Sequence, residues 1–159
     1  MSSSKSASTA VIIGAVVALV IGAGALFVLS FFKPATTLHI GDGVFTAEVA
    51  YTQASRERGL GGVNALDADK AMILAFPSDG QWPIWMKDMR TSIDIIWLDA
   101  DKKVVYIVKN VSPDSGTDVM YTPKVDARYV VELAAGTVEK QHIVVGRAAV
   151  FDIKNSEVQ

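Results

Sequence analysis

The sequence predicts a mainly β fold of the α+β class: a compact, barrel-like domain of about seven short strands with one or two short helices, preceded by one transmembrane helix. Three observations predict it. Short apolar runs recur along the C-terminal part of the chain, each bounded by Gly-, Pro- or Asp-containing turn signals. Only "SRER" and the start of "TVEKQHIVVGRAAVFDI" read as short helical turns. An uncharged stretch, "TAVIIGAVVALVIGAGALFVLSFF", stands apart from both.

That stretch runs from Thr9 to Phe32, and Thr9 and Ser30 are its polar members. As a helix rising ~1.5 Å per residue it spans the ~30 Å of a bilayer core. A cleaved signal peptide has an apolar region of about 7–15 residues, shorter than this run. Ala23-Gly24-Ala25 fits a small-x-small cleavage site but lies within the run, and Phe31, Phe32, Lys33 and Pro34 are poor cleavage neighbours. The expected organisation is a polar tail over 1–8, an uncleaved signal anchor over 9–32, a linker over 33–37 and a β-rich domain over 38–159. Lys5 and Lys33 flank the anchor almost evenly, so positive-inside bias is weak. A short polar N-terminus before a long C-terminal domain puts that domain outside the cytoplasm. Gly14, Ala18 and Gly22 fall at four-residue spacing, the small-xxx-small pattern that permits helix self-association within the lipid.

The domain opens with "TLHI", "GDG" and "VFTAEVAYT", a strand, a tight turn and a strand. Alternation assigns Phe45, Ala47, Val49 and Tyr51 to the core face. Ser55 is the expected cap of a short helix stopped by Gly59. "AMILAF" reads as a buried strand and "PSDG" as the turn after it. "SIDIIWLDADKKVVYIVKNV" is the clearest hairpin: Ile93 to Leu98, a turn over 99–102, then Val104 to Val111. Residues 112–124 are loop-like, and "ARYVVELAAG" is another strand. A helical turn and a last strand are expected in "TVEKQHIVVGRAAVFDI", with Gly146 marking a turn or bulge.

Composition excludes several chemistries. The chain has no Cys, hence no disulfide and no thiolate metal site. Its net charge is −2 with no basic stripe, which gives no ground for nucleic-acid binding. His39 and His142 are far apart and lack metal-ligand spacing, and no nucleotide-binding or nucleophile-elbow motif occurs. No cofactor and no metal are expected.

Asp94 sits between apolar neighbours on both strand faces. A carboxylate there must be hydrogen-bonded or paired, or else has a shifted pKa and a functional role. Pro83 argues against a continuous strand through "QWPIWMK", which leaves Trp82 or Trp85 on an edge or loop as a stacking platform. Lys87 and Arg90 flank this zone and can hold an anion. Arg56 and Arg58 bracket Glu57, and an Arg fork there can hold Asp94, Glu132 or a ligand's anion.

Three blocks, "RERGLGG", "AMILAFPSDGQWPIWMKDMRTSIDIIWLDADKKVV" and "ARYVVELAAGTVEKQHIVVG", together resemble the family called domain of unknown function 192 over roughly residues 44–152. Its most specific marks here are Trp85-Met86-Lys87, Ile93-Asp94-Ile95 and Tyr129 to Leu133 followed by Gly136. The chain has Asp88-Met89 where the family usually has Asn-Thr, and Ser92 where it often has Pro. The resemblance implies a small, mainly β fold with barrel character, often exported, and no agreed activity. Its motif residues are Arg58, Gly59, Trp85, Met86, Lys87, Asp94 and Glu132.

The expected function is a membrane-anchored, extracytoplasmic binding module of the cell envelope. Arg58, Trp85, Lys87, Asp94 and Glu132 are the candidate ligand residues, and a glycan, a peptide or an envelope protein the candidate ligand. The alternatives are an envelope hydrolase using Asp94 as acid or base, and a structural subunit of a membrane complex.

Overall fold

The computed structural model describes residues 35–159. The tail expected over 1–8 and the anchor over 9–32 lie outside them. Among the described residues no helix is long and apolar enough to cross a membrane.

Six strands form one sheet: β1 (Ala35–Ile40), β2 (Gly43–Ala50), β3 (Lys70–Gly80), β4 (Ile93–Leu98), β5 (Val104–Val111) and β6 (Ala127–Ala134). Their order across the sheet is β1-β2-β3-β6-β4-β5. The β2–β3 pair is parallel and the other pairs are antiparallel. Two short helices, α1 (Gln53–Arg58) and α2 (Thr137–Lys140), complete the domain.

The β1–β2 hairpin turns at Gly41, whose φ is +62°. A Cβ there would overlap the Gln141 carbonyl, so glycine serves both the turn and the close approach. The core face read for β2 is correct: Phe45, Ala47, Val49 and Tyr51 are all buried. The β4–β5 hairpin has the boundaries its alternation predicts. Ala35–Thr37, read as linker, pair with Thr46–Glu48 and belong to β1.

The expected barrel-like arrangement of about seven strands does not form; the sheet has six strands and is open. The segment read as a seventh strand divides its hydrogen bonds between both sheet edges. Val150 bridges His39 on β1, and Ala148 bridges Lys103 next to β5. Single bridges to two different strands leave no ladder. "PSDG" is also not a free turn, because β3 continues to Gly80 through a register shift between Ala75 and Gly80.

Both faces of the sheet are buried. One face carries Leu38, Phe45, Ile73, Ile96, Val131 and Leu133, with Val138, Ile143 and Phe151 from the α2 region packed on them. The other carries Met72, Leu74, Ile95, Trp97 and Val130 under Leu60, Ile84 and Met86. Parallel β2 and β3 need a crossover, and that crossover carries α1 and residues 59–69 onto the second face. Trp97 is fully buried there, and its indole N–H donates to the Trp82 carbonyl at 2.9 Å. Truncating a side chain packed this way to Ala costs about 3–5 kcal/mol.

Candidate functional site

A cavity of about 850 Å³ opens on the second face, between α1 and the loop 82–89. Local bonds fix its walls. Thr52, not Ser55, caps α1: the Thr52 hydroxyl accepts from the Ser55 N–H, and the Ser55 hydroxyl accepts from the Thr52 N–H. The helix stops at Gly59, whose φ is +48°. The Trp85 indole N–H donates to the Glu57 carbonyl at 3.4 Å, tying the loop to the last turn of α1. The Gly62 N–H donates to Asp88 O, and Arg90 donates to Asn64, so the loops after α1 and after β3 brace each other. Ile84 and Tyr121 exchange backbone hydrogen bonds, which brings the loop bearing Met120 to the same rim.

The walls are largely apolar, with Leu60, Phe76, Trp82, Ile84, Trp85 and Met89 among them. Trp82 stacks on Phe76 with centroids 4.4 Å apart and planes 8° from parallel. The floor holds Glu132. In register it faces Met72 on one neighbouring strand and Ile95 on the other, and it retains 4% exposure. Its Oε2 is wholly buried and has no hydrogen-bond partner. With no compensating charge, burial pushes the carboxyl up to about 7 from an ordinary 4.5. Gly59 leans over it: a Cβ at Gly59 would lie 3.5 Å from Oε2.

The two arginines of α1 have different tasks. Arg56 donates to the carbonyls of Tyr51 and Ala75 at 2.7 and 2.9 Å and to that of Gln159, and lies 5.1 Å from the Phe76 ring centroid. It is a brace. Arg58 and Lys87 are exposed, line the cavity and make no ion pair among the described residues. Neither arginine holds Asp94 or Glu132.

Arg58, Trp85, Lys87 and Glu132 therefore converge on one cavity, and Asp94 does not. Alternation puts Asp94 on the opposite sheet face from Glu132, wholly buried. Its Oδ1 accepts the Asn110 N–H and its Oδ2 the Val138 N–H, both at 2.8 Å. Asn110 has φ +55° where the β4–β5 register slips, so Asp94 satisfies an N–H displaced by a bulge. Asp94 thus caps two backbone N–H groups and does not line this cavity. Arg90, paired with Asn64, does not line the cavity. Met89 and Met120 do line it, and only their flanking loops were conspicuous in the sequence.

Comparison with known proteins gives a fold without an activity. A protein of Sinorhizobium meliloti 1021, provisionally described as a transcription regulator, superposes with a TM-score of 0.67 at 23% identity, over 76% of this chain and 94% of that one. A protein of unknown function from Novosphingobium aromaticivorans DSM 12444 superposes with a TM-score of 0.67 at 22% identity, over 74% of this chain and 84% of that one. No curated protein matches the chain. At these identities the likeness is one of fold. The DUF192 family model, described as "Uncharacterized ACR", matches residues 36–151, and the chain belongs to that family.

Proposed function

We propose that the chain is a membrane-anchored module of the cell envelope whose extracytoplasmic domain binds a small ligand in the cavity between α1 and the loop 82–89. The observation that carries the binding part is the Glu132 carboxyl: buried, without a partner, at the floor of an 850 Å³ cavity. A group desolvated at such cost is offset when a bound molecule supplies the missing hydrogen bond. The volume lies within the ~300–1,000 Å³ usual for small-molecule sites, and apolar walls with a few placed polar groups are their usual lining. Any acid–base chemistry at this site would fall to Glu132, since Asp94 faces the other side of the sheet.

The anchor rests on the uncharged run from Thr9 to Phe32. Two measurements test the proposal. Saturable binding of small molecules from envelope extract should shift the Trp85 indole N–H resonance of the full chain, and a resonance unmoved by every fraction would rule out the cavity as a binding site. The chain should resist alkaline extraction from membranes, with its C-terminal domain open to externally added protease. Release by alkali, or protection from protease, would remove the topology.

A further inference from the structure

We infer that the ligand of this cavity is an apolar organic anion: its planar or aliphatic body lies against the Trp85 wall, its acidic group meets Arg58 and Lys87, and it binds when Glu132 is neutral. This rests on the ligand-binding reading of the cavity and gives its ligand a chemical class.

The class follows from what the cavity offers at each depth. Its inner walls are Leu60, Ile84, Met89 and the aromatic rings, so a polyol buried there would find Glu132 and little else for its hydroxyls. An apolar body has no such requirement. At the rim, Arg58 and Lys87 make no ion pair among the described residues, and Arg56 adds a third cation braced by carbonyls. Glu57 is the one acidic side chain among these rim groups. The strands beside Glu132 present Met72 and Ile95, so no charge faces it from the sheet. Three cations against one acidic side chain leave the rim net positive, which favours an anionic ligand over a cationic one.

Glu132 then sets the pH response. An ionised carboxylate on the floor repels an anion held at the rim, whereas a neutral carboxylic acid does not. Burial holds this carboxyl near neutrality, about 7. Between pH 6 and pH 8 the neutral fraction of such a group falls about tenfold, and binding takes up one proton wherever the free cavity is ionised.

The experiment uses the full chain in lipid nanodiscs, with 2-naphthoate and its neutral isostere 2-naphthamide as probes. The Trp85 indole N–H resonance reports binding, and that of buried Trp97 reports folding. Naphthoate should bind about tenfold more tightly than naphthamide at pH 6, and about tenfold more weakly at pH 8 than at pH 6. Glu132→Gln should abolish the pH dependence while the Trp97 resonance stays in place. Arg58→Gln combined with Lys87→Gln should bring naphthoate to the affinity of naphthamide. Equal affinities for the two probes in the unmodified protein would overturn the anion assignment and leave the cavity a ligand site. If neither probe moves Trp85, the apolar-anion class is overturned, and the ligand-binding reading falls only if every envelope fraction also leaves Trp85 unmoved.

Discussion

Replacing Glu132 with Gln should stabilise this protein at alkaline pH and change little in acid. The sign follows from linkage. Burial raises the carboxyl from 4.5 to about 7 in the folded state, so between these values the folded chain holds a proton that the unfolded chain has released. Stability therefore falls as pH rises through that window and levels off above it. A rise of about two and a half units corresponds to about 3 kcal/mol at ~1.36 kcal/mol per unit. Glutamine is neutral throughout and has the same shape. Its amide inherits the unpartnered position of Oε2, so its own desolvation cost roughly matches that of the protonated acid. At pH 5 the two proteins should unfold within ~1 kcal/mol of each other. At pH 8 the Gln variant should be more stable by about 2–3 kcal/mol, or roughly 10 °C in Tm for a domain of this size. Thermal unfolding followed through the environment of buried Trp97 at both pH values measures this. Parallel loss of stability in the two proteins between pH 5 and pH 8 would refute the reasoning, because Glu132 would then carry no uncompensated charge.

Four further substitutions separate the roles of neighbouring residues. Asp94→Ala strands the N–H groups of Asn110 and Val138, and should cost about 3–5 kcal/mol in denaturant unfolding without altering the affinity of the folded fraction; unchanged stability would contradict the capping role. Gly59→Ala forces a side chain to φ +48° and sets a methyl against the Glu132 carboxyl, so it should lose about 1–2 kcal/mol and also weaken ligand binding. Arg56→Met removes hydrogen bonds to three carbonyls and should destabilise by about 2 kcal/mol, whereas Arg58→Gln should stay within ~0.5 kcal/mol of the parent in unfolding and affect binding alone.

Sequence patterns disclosed what depends on neighbours along the chain. The β4–β5 hairpin was legible because its apolar period is two and its turn is rich in Asp and Lys. The stop at Gly59 was legible because a positive φ favours glycine. The cap of α1 was misplaced by three residues: Thr52 and Ser55 are both good capping residues, and their reciprocal hydrogen bonds appear only in three dimensions. The seventh strand failed for a related reason. Apolar patterning around Ala148–Val150 does not say whether its backbone will pair with one strand or be shared between two. The rule applied to Asp94 places Glu132 beside it, not below it. "YVVEL" surrounds its acid with apolar residues on both faces just as "SIDIIWL" does, and only tertiary contact decides which carboxyl finds donors.

The contrast between those two carboxyls is the strongest functional argument in the molecule. They lie on adjacent strands, with Asp94 opposite Leu133 and Ile95 opposite Glu132, so the pleat sends them to opposite faces. Both are buried in an apolar layer. On one face the bulge at Asn110 and the start of α2 deliver two backbone N–H groups, and Asp94 is satisfied. On the other, the crossover from β2 to β3 delivers a glycine. Gly59 brings no side chain to Glu132, and Arg56 nearby spends its donors on carbonyls rather than on the acid. An arginine aimed at Glu132, or an apolar residue in its place, would each relieve the desolvation cost. The chain has neither, and it leaves a cavity above the acid instead. Structural need accounts for Asp94 completely. It does not account for Glu132, whose missing hydrogen bond faces a cavity large enough for a ligand to supply it.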